Sequence, residues 1–93
     1  MVISPEILKK LSDRHGVCRR EIEQCFENRY GNYLEDTREE HKTDPATKWF
    51  VSPTNRNRML KIAFVFNHGN VYIKSAYDAK PAYIELYERH CFK

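Results

Sequence analysis

Three runs rich in β-branched and aromatic residues, Trp49 to Thr54, Met59 to Phe66 and Val71 to Tyr77, follow one another in this chain. They are separated only by Asn55-Arg56-Asn57 and by the neighbourhood of His68-Gly69. Such runs favour strands, and Asn- and Gly-containing spacers of this length favour hairpin turns. Consecutive strands joined this tightly form an antiparallel sheet, because a parallel pair needs a long crossover.

What flanks the sheet is helical. Ser4-Pro5-Glu6 combines an N-cap residue, a proline suited to the first helical position and an acid in the first turn, which predicts a helix from Pro5 to about Arg14. Ile7, Leu8 and Leu11 form its apolar stripe, and Gly16 suits the left-handed residue that ends it. A second helix is expected from about Cys18 to Asn28, with Ile22, Cys25 and Phe26 inward. Tyr30-Gly31-Asn32 reads as a turn, Tyr33 to Thr37 as an edge strand, and the charged segment from Arg38 to Thr47 as a loop. Pro81 opens a last helix to about His90, with Ile84, Tyr87 and Cys91 on its inner stripe. The expected class is α+β in a single domain spanning residues 1–93: two short N-terminal helices, a four-stranded antiparallel sheet and a C-terminal helix.

Register decides which side chains meet. A turn at His68-Gly69 sets Phe66 opposite Val71, Phe64 opposite Ile73 and Ile62 opposite Ser75 on the core face. Lys61, Ala63, Val65, Tyr72, Lys74 and Ala76 then share the other face, joined by Trp49 and Val51 if Thr54 pairs with Arg58. A slip of one residue in either hairpin moves every side chain to the opposite face.

Charge is unevenly placed along this framework. Residues 1–47 hold eight Lys or Arg against ten Asp or Glu, a net of −2, while residues 48–93 hold eight against three, a net of +5. Between Asp44 and Asp78 stand Lys48, Arg56, Arg58, Lys61 and Lys74, with no carboxylate. A basic sheet with interleaved aromatics suits a polyanion such as RNA, while solvated surface lysines are the plainer account.

Ninety-three residues make one core and leave little room for a deep cleft between lobes, so a shallow groove is expected. No apolar run approaches a membrane span and the first residues lack a secretion signal, which suggests a cytoplasmic protein. Cys18, Cys25 and Cys91 are an odd set without metal-ligand spacing. Reduced thiols on the apolar sides of helices are expected, with no metal and no cofactor.

From about Leu11 to Tyr87 the order of segments resembles the BrnT family of bacterial type II toxins. The traces are Arg14-His15-Gly16-Val17, Glu35-Asp36-Thr37-Arg38, Asn57-Arg58-Met59-Leu60-Lys61-Ile62 and Ile73-Lys74-Ser75-Ala76-Tyr77. The resemblance implies a RelE-like fold, metal-independent endoribonuclease activity and a small antitoxin with an acidic contact segment. Many members carry arginine after the Ser-Ala pair where this chain has Tyr77, and often a serine where it has Cys18. The first departure removes a cation from the candidate site, which Lys74 could restore only in part. The chain also looks like members labelled as hydrolases of ADP-ribosylated proteins.

RNA cleavage without a metal needs a base for the ribose 2′-hydroxyl, a cation for the phosphorane and an acid for the leaving oxygen. Arg58, Lys61 and Lys74 are the candidate cations, with Tyr77 beside them, and His41 is the candidate acid or base because imidazole titrates near neutrality. Lys48 and Arg56 are candidates for phosphate contacts, and Tyr72 and Trp49 for base stacking; for Trp49, packing under the last helix is the favoured alternative. A non-catalytic module that docks RNA or protein on its basic face is the main rival reading. A hydrolase of ADP-ribosylated protein would need a pocket with convergent acids. The edge from Tyr33 to Thr37 offers a place for strand addition by an antitoxin, and a homodimer is compatible with the sequence.

Overall fold

The computed structural model describes residues 1–37 and 45–92. Helix α1 (Pro5–His15) and helix α2 (Arg19–Glu27) precede strands β1 (Leu34–Glu35), β2 (Thr47–Pro53), β3 (Met59–Asn67) and β4 (Asn70–Asp78), and helix α3 (Pro81–His90) closes the chain. The four strands form one antiparallel sheet in the order β1-β2-β3-β4, which is the expected α+β class.

The local signals act as their chemistry dictates. Ser4 Oγ accepts the Ile7 N–H at 3.2 Å, and Gly16, at φ 60°, ends α1 with its N–H on the Leu11 and Ser12 carbonyls. The hairpin between β3 and β4 turns through His68 and Gly69 at φ 51° and 81°, the paired left-handed residues that match strand twist. Cys18 departs from expectation. It stands outside α2 as its N-cap, so it is exposed rather than on the helical stripe, and its N–H donates to Glu21 Oε1 at 3.2 Å.

Helices cover both faces of the sheet. Phe26 of α2 meets Phe50 and Phe64 at ring distances of 4.8 and 5.6 Å, and the Cys25 thiol donates to the Ser52 carbonyl, so Leu60, Ile62, Phe64, Ile73 and Ala76 are sealed on that side. On the other face Trp49 packs against Tyr83 and Tyr87 of α3, 6.0 and 5.9 Å away. The expected apolar stripes of the three helices bury at Leu11, at Ile22 with Cys25, and at Tyr87 with Cys91.

Two details of the sheet correct the sequence reading. Phe66↔Val71 and Phe64↔Ile73 pair as expected, but a bulge between Ala63 and Phe64 shifts the rest, so that Ile62 faces Ala76 and Lys61 faces Tyr77. The reason lies in spacing. Ile73 and Ala76 are both buried, yet they are three apart in a strand whose side chains alternate every two, so one extra residue must be absorbed. That residue is Lys74, which has no partner across β3. Strand β1 is shorter than expected, and the exposed Tyr33 before it edges the rings of Phe50 and Phe64 at 5.5 and 4.8 Å.

Candidate functional site

The cross-strand pair Lys61↔Tyr77 is the centre of the site. On β3, Lys61 sits between Val51 of β2 and Tyr77 of β4 in the middle of the sheet, on the face that α3 covers. The side chain is only 5% exposed. Its Nζ donates to Tyr77 Oη at 3.1 Å and lies 4.3 Å from the ring centre of Tyr83, 5.1 Å from Trp49 and 5.4 Å from Tyr77. Three aromatic faces stabilise an ammonium here, each by about 0.5 to 2 kcal/mol depending on desolvation. Among the described residues Lys61 meets no carboxylate within ion-pair distance.

A cavity of about 490 Å³ opens onto this ammonium. Lys61 and Trp49 belong to the sheet beneath it, Leu34, Glu35, Asp36 and Thr37 line it from β1 and its exit, and Tyr83, Leu86 and His90 line it from α3. The volume falls within the range of small-molecule sites. The gap between the short β1 and α3 makes this cavity, which is open to solvent on one side. Spacing explains the α3 wall, since residues 83, 86 and 90 recur on one side of a helix. That pattern was visible in the sequence beside the stripe of Ile84, Tyr87 and Cys91. Glu35-Asp36-Thr37 was visible as a trace of resemblance, without a role.

The other proposed cations do not converge on this cavity. Arg58 is held by five hydrogen bonds: Nε to Asp78 Oδ1 at 2.7 Å, Nη1 to Gly16 O at 2.9 Å and Glu21 Oε2 at 3.1 Å, Nη2 to His15 O at 2.7 Å and Asp78 Oδ2 at 3.0 Å. A guanidinium has five N–H donors, so none is left for a phosphate in this arrangement. The hydrogen bonds that Arg58 donates to Asp78 hold the guanidinium protonated more firmly than usual and hold the Asp78 carboxyl below its usual range. Arg58 thus ties the end of α1 and the start of α2 to β4. The expected basic face of the sheet is dispersed for the same reasons of register and pairing.

Lys74 is the exposed bulge residue, away from Lys61's pairing rung. Lys48 is half-buried on β2 with Glu35 and Phe64 as its cross-strand neighbours, and Arg56 is exposed in the β2–β3 turn. Tyr72 is exposed opposite Val65. Trp49 is 8% exposed and packs under α3, as the alternative held, while still lining the cavity. Tyr77 stands behind Lys61 with the His15 ring 5.6 Å from its own. His41 lies outside the described residues. The structure brings together Lys61, Tyr77 and Trp49 of the sequence candidates, and adds Tyr83, His90, Glu35 and Asp36. Among the described residues no cluster of His, Cys, Asp and Glu is arranged to hold a metal ion, and no helix is long and apolar enough to cross a membrane. No protein-family model, no curated protein and no solved structure matches this chain.

Proposed function

We propose that this chain is the toxin of a type II toxin–antitoxin pair, a metal-independent endoribonuclease of the bacterial cytoplasm. One observation carries the reading: the buried ammonium of Lys61, free of any carboxylate ion pair among the described residues, lies at a cavity of nucleotide size walled by Trp49 and Tyr83. Lys61 takes the role of the fixed cation. A fixed donor at a developing charge contributes about 100- to 1000-fold in rate. The 2′-oxygen loses its proton and bonds to phosphorus, the bond from phosphorus to the 5′-oxygen breaks, and that oxygen takes up a proton. The products are a 2′,3′-cyclic phosphate and a 5′-hydroxyl. His90 lines the same cavity and supplies the proton-transfer group. Tyr77 positions Lys61 through its 3.1 Å hydrogen bond. An antitoxin with an Asp- and Glu-rich segment would complement the net charge of +3.

The test is to express the chain without a partner in a bacterial host and map transcript ends, beside Lys61→Met at equal abundance. New ends with 5′-hydroxyls and growth arrest, lost in the variant, support the reading. Unchanged transcripts from folded native chain remove it. A second reading has one observation in its favour, because Glu35 and Asp36 line the cavity as a hydrolase of ADP-ribosylated protein would require. Release of ADP-ribose from a modified protein, with transcripts intact, selects that alternative. Salt-sensitive RNA binding without cleavage selects a docking module.

A further inference from the structure

We propose that the cavity beside Lys61 binds a small aromatic monoanion, a flat ring system bearing one carboxylate, whether or not the chain cleaves RNA. The first support is a donor set left incomplete. An ammonium has three N–H donors, and Lys61 Nζ gives one of them to Tyr77 Oη at 3.1 Å. Among the described residues no second acceptor meets Nζ and no carboxylate lies within ion-pair distance, although the residue is 5% exposed. Charged donors held out of bulk water require an acceptor that these residues do not supply.

The second support is what surrounds that ammonium. Leu34 pairs with Trp49, and Lys61 lies on the next side-chain row of the same face, opposite Val51. Tyr83 and Leu86 close over them from α3, so the lining beside Lys61 is apolar and aromatic. Glu35 shares its rung with Lys48 and Phe64 and belongs to the opposite face, while Asp36 already has a partner. The charge offered to a ligand on the sheet side is therefore the single positive one of Lys61, with His90 at the α3 end. The rings of Tyr83, Trp49 and Tyr77, at 4.3, 5.1 and 5.4 Å from Nζ, carry negative faces. One negative charge neutralises Lys61 there, and a second is repelled by the rings. A carboxylate brings one charge and two oxygens for the remaining donors. Trp49 and Tyr83, 6.0 Å apart at 79°, form an angled wall against which a flat ring packs. A phosphodiester with its base also joins one charge to a flat ring, so RNA is the other source of this chemistry.

The experiment titrates the isotope-labelled full chain with 2-naphthoate, 2-naphthamide, cyclohexanecarboxylate and a 2′-deoxy dinucleotide of uracil and adenine. Trp49 is the only tryptophan, so one indole N–H resonance reports occupancy of this cavity. The expected result is saturable movement of that resonance by naphthoate. Its affinity should exceed that of the amide by about tenfold or more, and that of the aliphatic acid by about threefold or more. Lys61→Met removes the preference for acid over amide. Leu86→Glu, at an exposed position, weakens the acid by charge repulsion and leaves the amide unchanged. An unmoved Trp49 resonance, equal affinity for acid and amide, or tighter binding of the dinucleotide overturns the proposal. The last of these leaves the ribonuclease reading standing. Naphthoate binding by a chain that leaves transcripts intact supports the proposal and removes that reading.

Discussion

Arg58 grips both carboxylate oxygens of Asp78, at 2.7 and 3.0 Å, and so fastens the end of β4 to the helical layer. The hydrogen bonds from Arg58 hold the Asp78 carboxyl below its usual range in the folded chain. A depressed folded value contributes stability above the unfolded value, near about pH 4, and that contribution is lost as pH falls through the folded value. Asp78→Asn should therefore flatten the acid limb of stability below about pH 4. The side chain is 67% exposed, so the effect is at most about 1 kcal/mol. Urea denaturation of both proteins between neutral pH and pH 3 measures it.

Removing the charge at Lys61 should cost little stability, while reversing it should cost much. Lys61→Met keeps an unbranched stem among Trp49, Tyr77 and Tyr83, and replacing buried charge by apolar volume is often neutral. A shift within about 1 kcal/mol is expected. Lys61→Glu places an unpaired carboxylate against three ring faces and should destabilise by about 3 to 5 kcal/mol. Chemical denaturation midpoints of the two variants separate these outcomes.

Gly31→Ala should be more damaging than its position in a turn suggests. A Cβ there would stand 2.5 Å from Cys91 Cβ, 2.7 Å from Cys91 Sγ and 2.8 Å from Tyr87 Oη, all inside contact distance. Overpacking of this kind costs about 1 to 3 kcal/mol. In a chain of this size each kcal/mol lowers the melting temperature by roughly 4 to 8 °C, a drop that a thermal melt followed by circular dichroism resolves.

The three thiols should react in sequence. Cys18 is exposed, whereas Cys25 and Cys91 are buried, and burial, aided by the nearby Glu21 carboxylate, pushes the Cys25 thiol up to about 12. The thiolate is the nucleophile. Iodoacetamide at neutral pH should label Cys18 alone in the native chain and reach the other two only in denaturant, which peptide mass spectrometry reads directly.

The helices and hairpins were legible in the sequence because each carries its own local signal: Ser4-Pro5, Gly16, His68-Gly69 and Pro81 act on the backbone nearest to them. The bulge was not. Ser75 and Ala76 are both small, so alternation alone could not tell which faces the core, and the choice fell to the packing of Ile73 and Ala76 together. That one residue changed which cation accompanies the aromatics, placing Lys61 across from Tyr77 and leaving Lys74 outside the ladder.

Arg58 was illegible for a different reason. Its partners His15, Gly16, Glu21 and Asp78 come from three separate elements, and nothing in a linear charge count distinguishes a clasp from a free cation. The cavity likewise joins β1 to α3, segments far apart in the chain. Residues 83, 86 and 90 were readable as a helical row, but their opposition to Glu35 and Asp36 depended on how α3 crosses the sheet.

Synthesis runs from residue 1 onward, and this imposes an order on the site. Lys61 and Trp49 leave the ribosome before Tyr83 and His90 do, since α3 comes after all four strands. Val2, hydrogen-bonded in parallel to Val71 and Ile73, must likewise wait for β4 before it can dock. Until α3 is made, the ammonium has sheet on one side and no helical wall on the other. A chain whose synthesis has not yet passed α3 therefore lacks the Tyr83 ring that faces Lys61 and the His90 edge of the cavity.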